Sequence, residues 1–256
     1  MRRHAGARLR NCPPGPTIKR KAHAHEERRA GMTTTTPHLA RHICLAAVNI
    51  PAHMTDPASA SAPSLAIAHL LDDLADALRV YDRLTRQGTE ASEAPVELTR
   101  LVPGDMRRQP SPIPSCDALV CGLALAGDRD DPGDIRAAIR EILSACMPGT
   151  RIYAISCSST TDCSASREHL MHLMRACEKA RCTWSGGLAL NDAAAIAAQT
   201  CAPRMGILRR TRSEAIDRLI MAIRCGIPLD TDDPAHVLVV QPTRSARLLT
   251  CLRQRA

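Results

Sequence analysis

The sequence predicts an α/β fold, a five-stranded parallel sheet covered by helices on both faces. From residue 41 onward, short apolar runs of strand length alternate with longer amphipathic stretches, the signature of strands joined through helices. The runs read as buried strands, which a sheet covered on both faces requires. Hydrophobic residues make up 45% of the chain but aromatics only 1%, so the core must be built from Ala, Leu, Ile, Val, Met and Cys, which favours Ala-rich helices over a thin sheet. With 256 residues the chain is long enough for one large or two small domains and needs no disulfides to bury that core.

The first element is the run 43–48, a buried strand. A loop rich in Pro, Ser and Ala (51–64) leads into a helix with Ile67, Leu70, Leu71, Leu74 and Leu78 on one face and Asp72, Asp73 and Asp76 off it. Residues 87–95 form a polar linker, and 96–102 a charge-bearing strand suited to a sheet edge. Pro103, Pro110, Pro112 and Pro114 keep the next stretch irregular. The clearest central strand is 117–125, followed by a loop (126–133) and a helix with Ile135, Ile139, Ile142 and Leu143 in register. Strand four is 151–156. A Ser, Thr and Cys loop reaching Ser166 precedes a helix that turns Leu170, Leu173, Met174 and Cys177 inward. Strand five is 182–190. The last helix has Ser213 as N-cap, Glu214 in its first turn, Ile216, Leu219, Ile220 and Ile223 inward, and Gly226 just past its end. Beyond it, Val237-Leu-Val-Val240 must pair with its own sheet, cover a helix or dock on a second subunit, because an exposed apolar strand is a sticky edge. A homodimer to which residues 237–252 contribute is expected.

Charge divides the chain. Residues 1–31 hold nine basic and two acidic side chains, which is +7 of the formal +8, so the remaining 225 residues are near +1. That excludes a chain-wide nucleic-acid surface and confines such binding to residues 1–31, where it would be non-specific and salt-dependent. Residues 1–40 are expected to be a disordered basic segment, 41–228 the folded domain and 229–256 a C-terminal extension. Met32 separates the arginines from the first folded element; the stretch before it reads either as a solvated tail or as sequence upstream of the natural start. No run of about 18 apolar residues exists to span a bilayer, and no apolar stretch follows the arginines as a secretory signal requires. The twelve cysteines show no C-x-x-C pair or zinc spacing, and most sit in apolar runs, as free thiols of a reducing cytoplasm would.

Several pieces together resemble a known family: strand 117–125 with its Asp130-Asp-Pro-Gly133 loop, the entry Pro148-Gly-Thr-Arg-Ile-Tyr-Ala-Ile-Ser156, Thr183-Trp-Ser-Gly-Gly-Leu-Ala189, and Arg204-Met-Gly206 and Arg209-Arg210 ahead of Ser213-Glu-Ala-Ile-Asp-Arg-Leu-Ile220. Over residues 41–226 the chain resembles the NAD(P)H-dependent FMN reductases and iron-sulfur flavoproteins of the flavodoxin-like fold. The resemblance implies a doubly wound sheet of order 2-1-3-4-5, with FMN outside the strand carboxyl ends at the switch point between the first and third. Ser59, Ser61 and Ser64 would then meet the phosphate at a helix N-terminus. The flavin ring would lie between Ala124, Leu125 and Gly127 after strand three and Ser156, Ser158, Ser159 and Thr160 after strand four. NAD(P)H would be the hydride donor, and the acceptor a small or quinone-like molecule that the sequence does not specify.

The chain departs from this family at the residues that matter. The stretch 49–57 has no glycine to let backbone N–H groups converge on a phosphate. Leu123-Ala-Leu125 stands where relatives carry an aromatic platform, and of the iron-sulfur cysteines only Cys116 is present. Two readings stay open: an FMN-binding NAD(P)H-dependent oxidoreductase with unusual contacts, or a flavin-free scaffold of the same fold acting through protein binding or self-association. Gly186-Gly187 marks either close ligand approach or a packed neighbour, with Trp184 filling a large core gap. His169 and His172 read as surface residues of one helix, Cys157 and Cys163 either as reactive thiols flanking a polar loop or, with no cation evidently placed beside them, as packed or inert ones, and Arg209, Arg210 and Arg212 as either a cofactor-phosphate contact or a solvated cluster.

Overall fold

The structure is a computed structural model, and it describes residues 39–48, 61–88, 95–101, 115–125, 132–160, 162–198 and 210–241. The strands are β1 (His42–Val48), β2 (Glu97–Leu101), β3 (Ala118–Leu125), β4 (Arg151–Ser158), β5 (Thr183–Leu190) and β6 (Val237–Val240). The helices are α1 (Ala62–Gly88), α2 (Pro132–Ser144), α3 (Ser164–Ala180), α4 (Ala193–Ala198) and α5 (Arg210–Cys225). All six strands are parallel, in the order β2-β1-β3-β4-β5-β6.

The α/β class and the parallel sheet agree with the sequence, but the count does not: a sixth strand extends the expected order of five. Val237–Val240 takes the first of the three roles open to it, pairing with β5 from Gly187↔Val237 to Leu190↔Val240. Gly186 and Gly187 make that docking fit. A Cβ on Gly186, whose φ is +122°, would come within 2.7 Å of His236 O and Leu229 Cβ, and one on Gly187 within 3.0 Å of Ala154 O. The glycine pair therefore accommodates packed neighbours, the segment before β6 among them.

Alternate residues along each strand supply two separate cores, as period-two side-chain geometry dictates. Leu45, Val120, Tyr153, Ile155 and Leu188 face α1 and α5, where they meet Ile67, Leu71, Leu74, Ile216 and Ile220. Their strand neighbours Cys44, Leu119, Cys121 and Ile152 face α2 and α3, where Ile139, Ile142, Leu170 and Leu173 close over them. With so few aromatics, closeness replaces bulk. Gly122 lies where a Cβ would come within 2.5 Å of Ile67 Cγ2, so its bare backbone lets α1 settle onto β3.

Seven of the nine described cysteines, all free thiols, belong to the α2/α3 side: Cys44, Cys121, Cys163, Cys177 and Cys182 within the core, with Cys116 and Cys146 packed against it. There they act as small hydrophobes. Burial pushes the Cys146 and Cys157 thiols up to about 12, so both stay protonated near neutral pH.

Three local expectations are corrected. β4 continues two residues beyond 156, because Cys157 and Ser158 remain in register with Ala124 and Leu125 of β3. α5 begins at Arg210, so Ser213 lies inside the helix rather than capping it, and the Arg210 to Glu214 ion pair at 2.9 Å (i, i+4) supports the added turn. Trp184 does not fill a core gap. It is half-buried and donates its indole N–H to Ala235 O at 2.8 Å, while Tyr153 is the fully buried aromatic, its hydroxyl 2.9 Å from Ala222 O and 2.8 Å from Ile227 O.

Candidate functional site

In a doubly wound sheet, ligands bind outside the strand carboxyl ends. Here that edge carries Ala124 and Leu125 at the end of β3, Ser158 at the end of β4 and the start of α1. Ser59 and Gly127 lie outside the described residues, as do 49–57, residues 1–38 and Arg209.

The α1 N-terminus is closed on itself. Ser61 is its N-cap: Oγ accepts the Ser64 N–H at 3.3 Å and sits 2.8 Å from Ser64 Oγ, while Ser61 O accepts the Leu65 N–H at 3.0 Å. Pro63 has no N–H to offer. A phosphate at this helix start would meet few free donors, because the donors that make such a site are already used. Ser64 itself is buried.

The hydroxyl loop after β4 is likewise committed. Ser158 Oγ lies 3.0 Å from Thr160 Oγ1, and Thr160 Oγ1 donates to Asp162 O at 2.7 Å. Thr160 O in turn accepts the Asp192 N–H at 3.2 Å, tying this loop to the one after β5. Ser159 alone of the four is an exposed hydroxyl with no bond to another group among the described residues. Ser156 is not in the loop at all. It is a fully buried strand residue between Leu123 and Ala189, and its Oγ has no hydrogen-bond partner. Ala124 faces the α1/α5 core and Leu125 the α2/α3 core, so both serve packing rather than a flavin face.

Two grooves lie on the helical faces instead. One, of about 390 Å³, runs between α1 and α5 and is lined by His69, Asp73, Val80, Arg212 and Asp217. Arg212 also lies near enough to Cys157 to oppose the rise that burial imposes on its thiol. The other, of about 850 Å³, lies between α2 and α3. Its rims are Arg136 and Arg140 on one side and Arg175 and Lys179 on the other. Sequence reasoning missed this groove because each pair, taken on its own helix, reads as an ordinary solvated face. Only the packing of α2 against α3 brings the two rows of cations together.

The remaining singled-out residues serve local structure. His169 lies 2.9 Å from Ala165 O through Nδ1, His172 is 3.5 Å from Glu168, and no metal-holding group of three His, Cys, Asp or Glu exists among the described residues. Cys157 and Cys163 are both buried. No described helix is long and apolar enough to cross a membrane. Compared with known proteins, the chain matches no family model and no curated sequence.

Proposed function

We propose that this chain is a flavin-free protein-binding scaffold of the flavodoxin-like kind. The observation that carries the reading is that the described polar groups expected to hold FMN, the exposed Ser159 aside, are bonded within the chain or buried away from any ligand. Ser61 and Ser64 cap their own helix, Ser158 and Thr160 close their own loop, and Ser156 is inside the sheet. These described residues do not fit a bound flavin. Among the described residues, the outer helix faces, by contrast, carry concave surfaces of about 390 and 850 Å³.

The second reading, an FMN-binding NAD(P)H-dependent oxidoreductase, draws on the strand order, in which β1 lies between β2 and β3 at a switch point. FMN titration separates the two. A ligand that binds only the native state stabilises it, by about 2.7 kcal/mol at a hundredfold excess over Kd. The expected result is a colourless protein whose thermal midpoint does not move with excess FMN. A saturable rise in midpoint, with quenching of flavin fluorescence, would overturn the scaffold reading.

A further inference from the structure

We propose that the groove between α2 and α3 is the docking site for an acidic amphipathic helix of a partner protein. This deepens the protein-binding reading and rests on it. Between the rims the lining is apolar: Pro148, Ala176 and Ala180 are wholly or partly exposed there, while Ile139 and Leu143, 4% and 2% exposed, belong to the core. The rims are cationic, and no Asp or Glu lines the groove. Among the described residues, Arg136, Arg140, Arg175 and Lys179 are in no ion pair; Arg140 Nε donates to Arg136 O at 3.3 Å, and Arg136 lies 3.5 Å from His172 Nε2. Four cations around a trough lined by no Asp or Glu give it a positive potential, which an anionic partner would meet.

The spacing selects a helix. Arg136 and Arg140 are one turn apart on one rim, and Arg175 and Lys179 are one turn apart on the other. The trough follows α2 from Arg136 to Ser144, about 12 Å at the α-helical rise. An apolar stripe at i, i+3, i+4 and i+7 would fill that length, and flanking Glu or Asp at one-turn intervals would meet both rims. A nucleic acid has no apolar ridge to bury against Pro148, Ala176 and Ala180. The chain's own segments outside the described residues do not match either: 1–38, 102–114, 199–209 and 242–256 are net basic, 49–60 has a single carboxylate, and the acidic stretches 89–94 and 126–131 have no large apolar residue. A contact of two helical turns is small and charge-led, so it should be weak and salt-sensitive.

The test uses the full chain and a labelled 18-residue designed helix carrying a leucine stripe flanked by glutamates, followed by fluorescence anisotropy. A second helix has glutamine in place of every glutamate, a third has lysine, and a single-stranded oligonucleotide serves as competitor. The expected result is saturable binding of the glutamate helix, at least tenfold weaker for the glutamine helix and weakened again by added salt. The double substitution Arg140→Glu with Arg175→Glu should abolish binding of the glutamate helix and admit the lysine helix, with an unchanged circular dichroism melt showing that the fold is intact. Equal binding of glutamate and glutamine helices, no saturation, or no effect of the double substitution would overturn the proposal. So would displacement of the glutamate helix by the oligonucleotide at lower concentration. FMN titrated alongside keeps the two failures apart: saturable FMN binding defeats the flavin-free reading, and loss of helix binding without FMN binding defeats the groove alone.

Discussion

Ser156 shows how a single side chain separates the two functional readings. A hydroxyl buried without a partner costs more than the same space filled by carbon, because its hydrogen bonds to water are lost and not replaced. Ser156 Oγ is in that position, with the surrounding sheet and the α2/α3 core closed over it. Ser156→Ala is therefore expected to raise stability by about 1 kcal/mol, read as a higher denaturant midpoint at unchanged slope. Destabilisation by the substitution would show that the hydroxyl has a partner the described contacts do not contain. Tyr153 is the counter-case. Burial pushes its phenol up to about 12, but its hydroxyl reaches carbonyl oxygens at the end of α5, so it stays neutral and bonded.

At the scale of elements, the sheet is held together by approaches too close for side chains. α1 rests on β3 through Gly122, where an added methyl group would overlap Ile67 Cγ2 and come within 2.9 Å of Leu71 Cδ1. Both neighbours are branched side chains packed in the core, so relief requires α1 to shift. Gly122→Ala should cost about 1–3 kcal/mol, as overpacking a filled core does. Its denaturant curve checks this, with Gly149→Ala as a contrast: Gly149 has open space around it and only a φ of +86° to lose. A Gly122→Ala protein as stable as the parent would mean the α1–β3 contact is looser than these distances. Most elements were legible in the sequence because buried strands and one-sided helices leave periodic patterns; Ile67, Leu70, Leu71, Leu74 and Leu78 are all buried as their spacing required. The sixth strand was legible as an apolar run, but its neighbour was not, since pairing partners carry no local signal. The site was much less legible. Serines at a helix start look the same whether they hold a phosphate or cap the helix, and only the Ser61 and Ser64 bonds decide which.

For the molecule as a whole, the question is what keeps β6 on the sheet. It is four residues long, so its position depends on the turn before it. Asp233 organises that turn: its carboxylate accepts the Ala235 N–H at 2.9 Å and pairs with Arg167 of α3 at 2.9 Å. The Ala235 N–H and then the Arg167 guanidinium hold the Asp233 carboxyl below its ordinary value. A carboxyl whose folded pKa is depressed contributes stability above its unfolded value, about 3.9, and loses it as pH falls through the folded one. Trp184, the chain's one tryptophan, reports on this turn directly, because its indole N–H is bonded to Ala235 O. Asp233→Ala should therefore lower the denaturant midpoint and shift Trp184 emission towards that of exposed indole at pH 5–8. As pH falls through the depressed folded value and the wild-type carboxylate takes up its proton, the difference between the two proteins should vanish. The experiment is tryptophan fluorescence against denaturant at a series of pH values. A difference that persists unchanged into acid would show that the Asp233 side chain acts there by packing rather than by charge, and that the β6 docking has no carboxylate clasp.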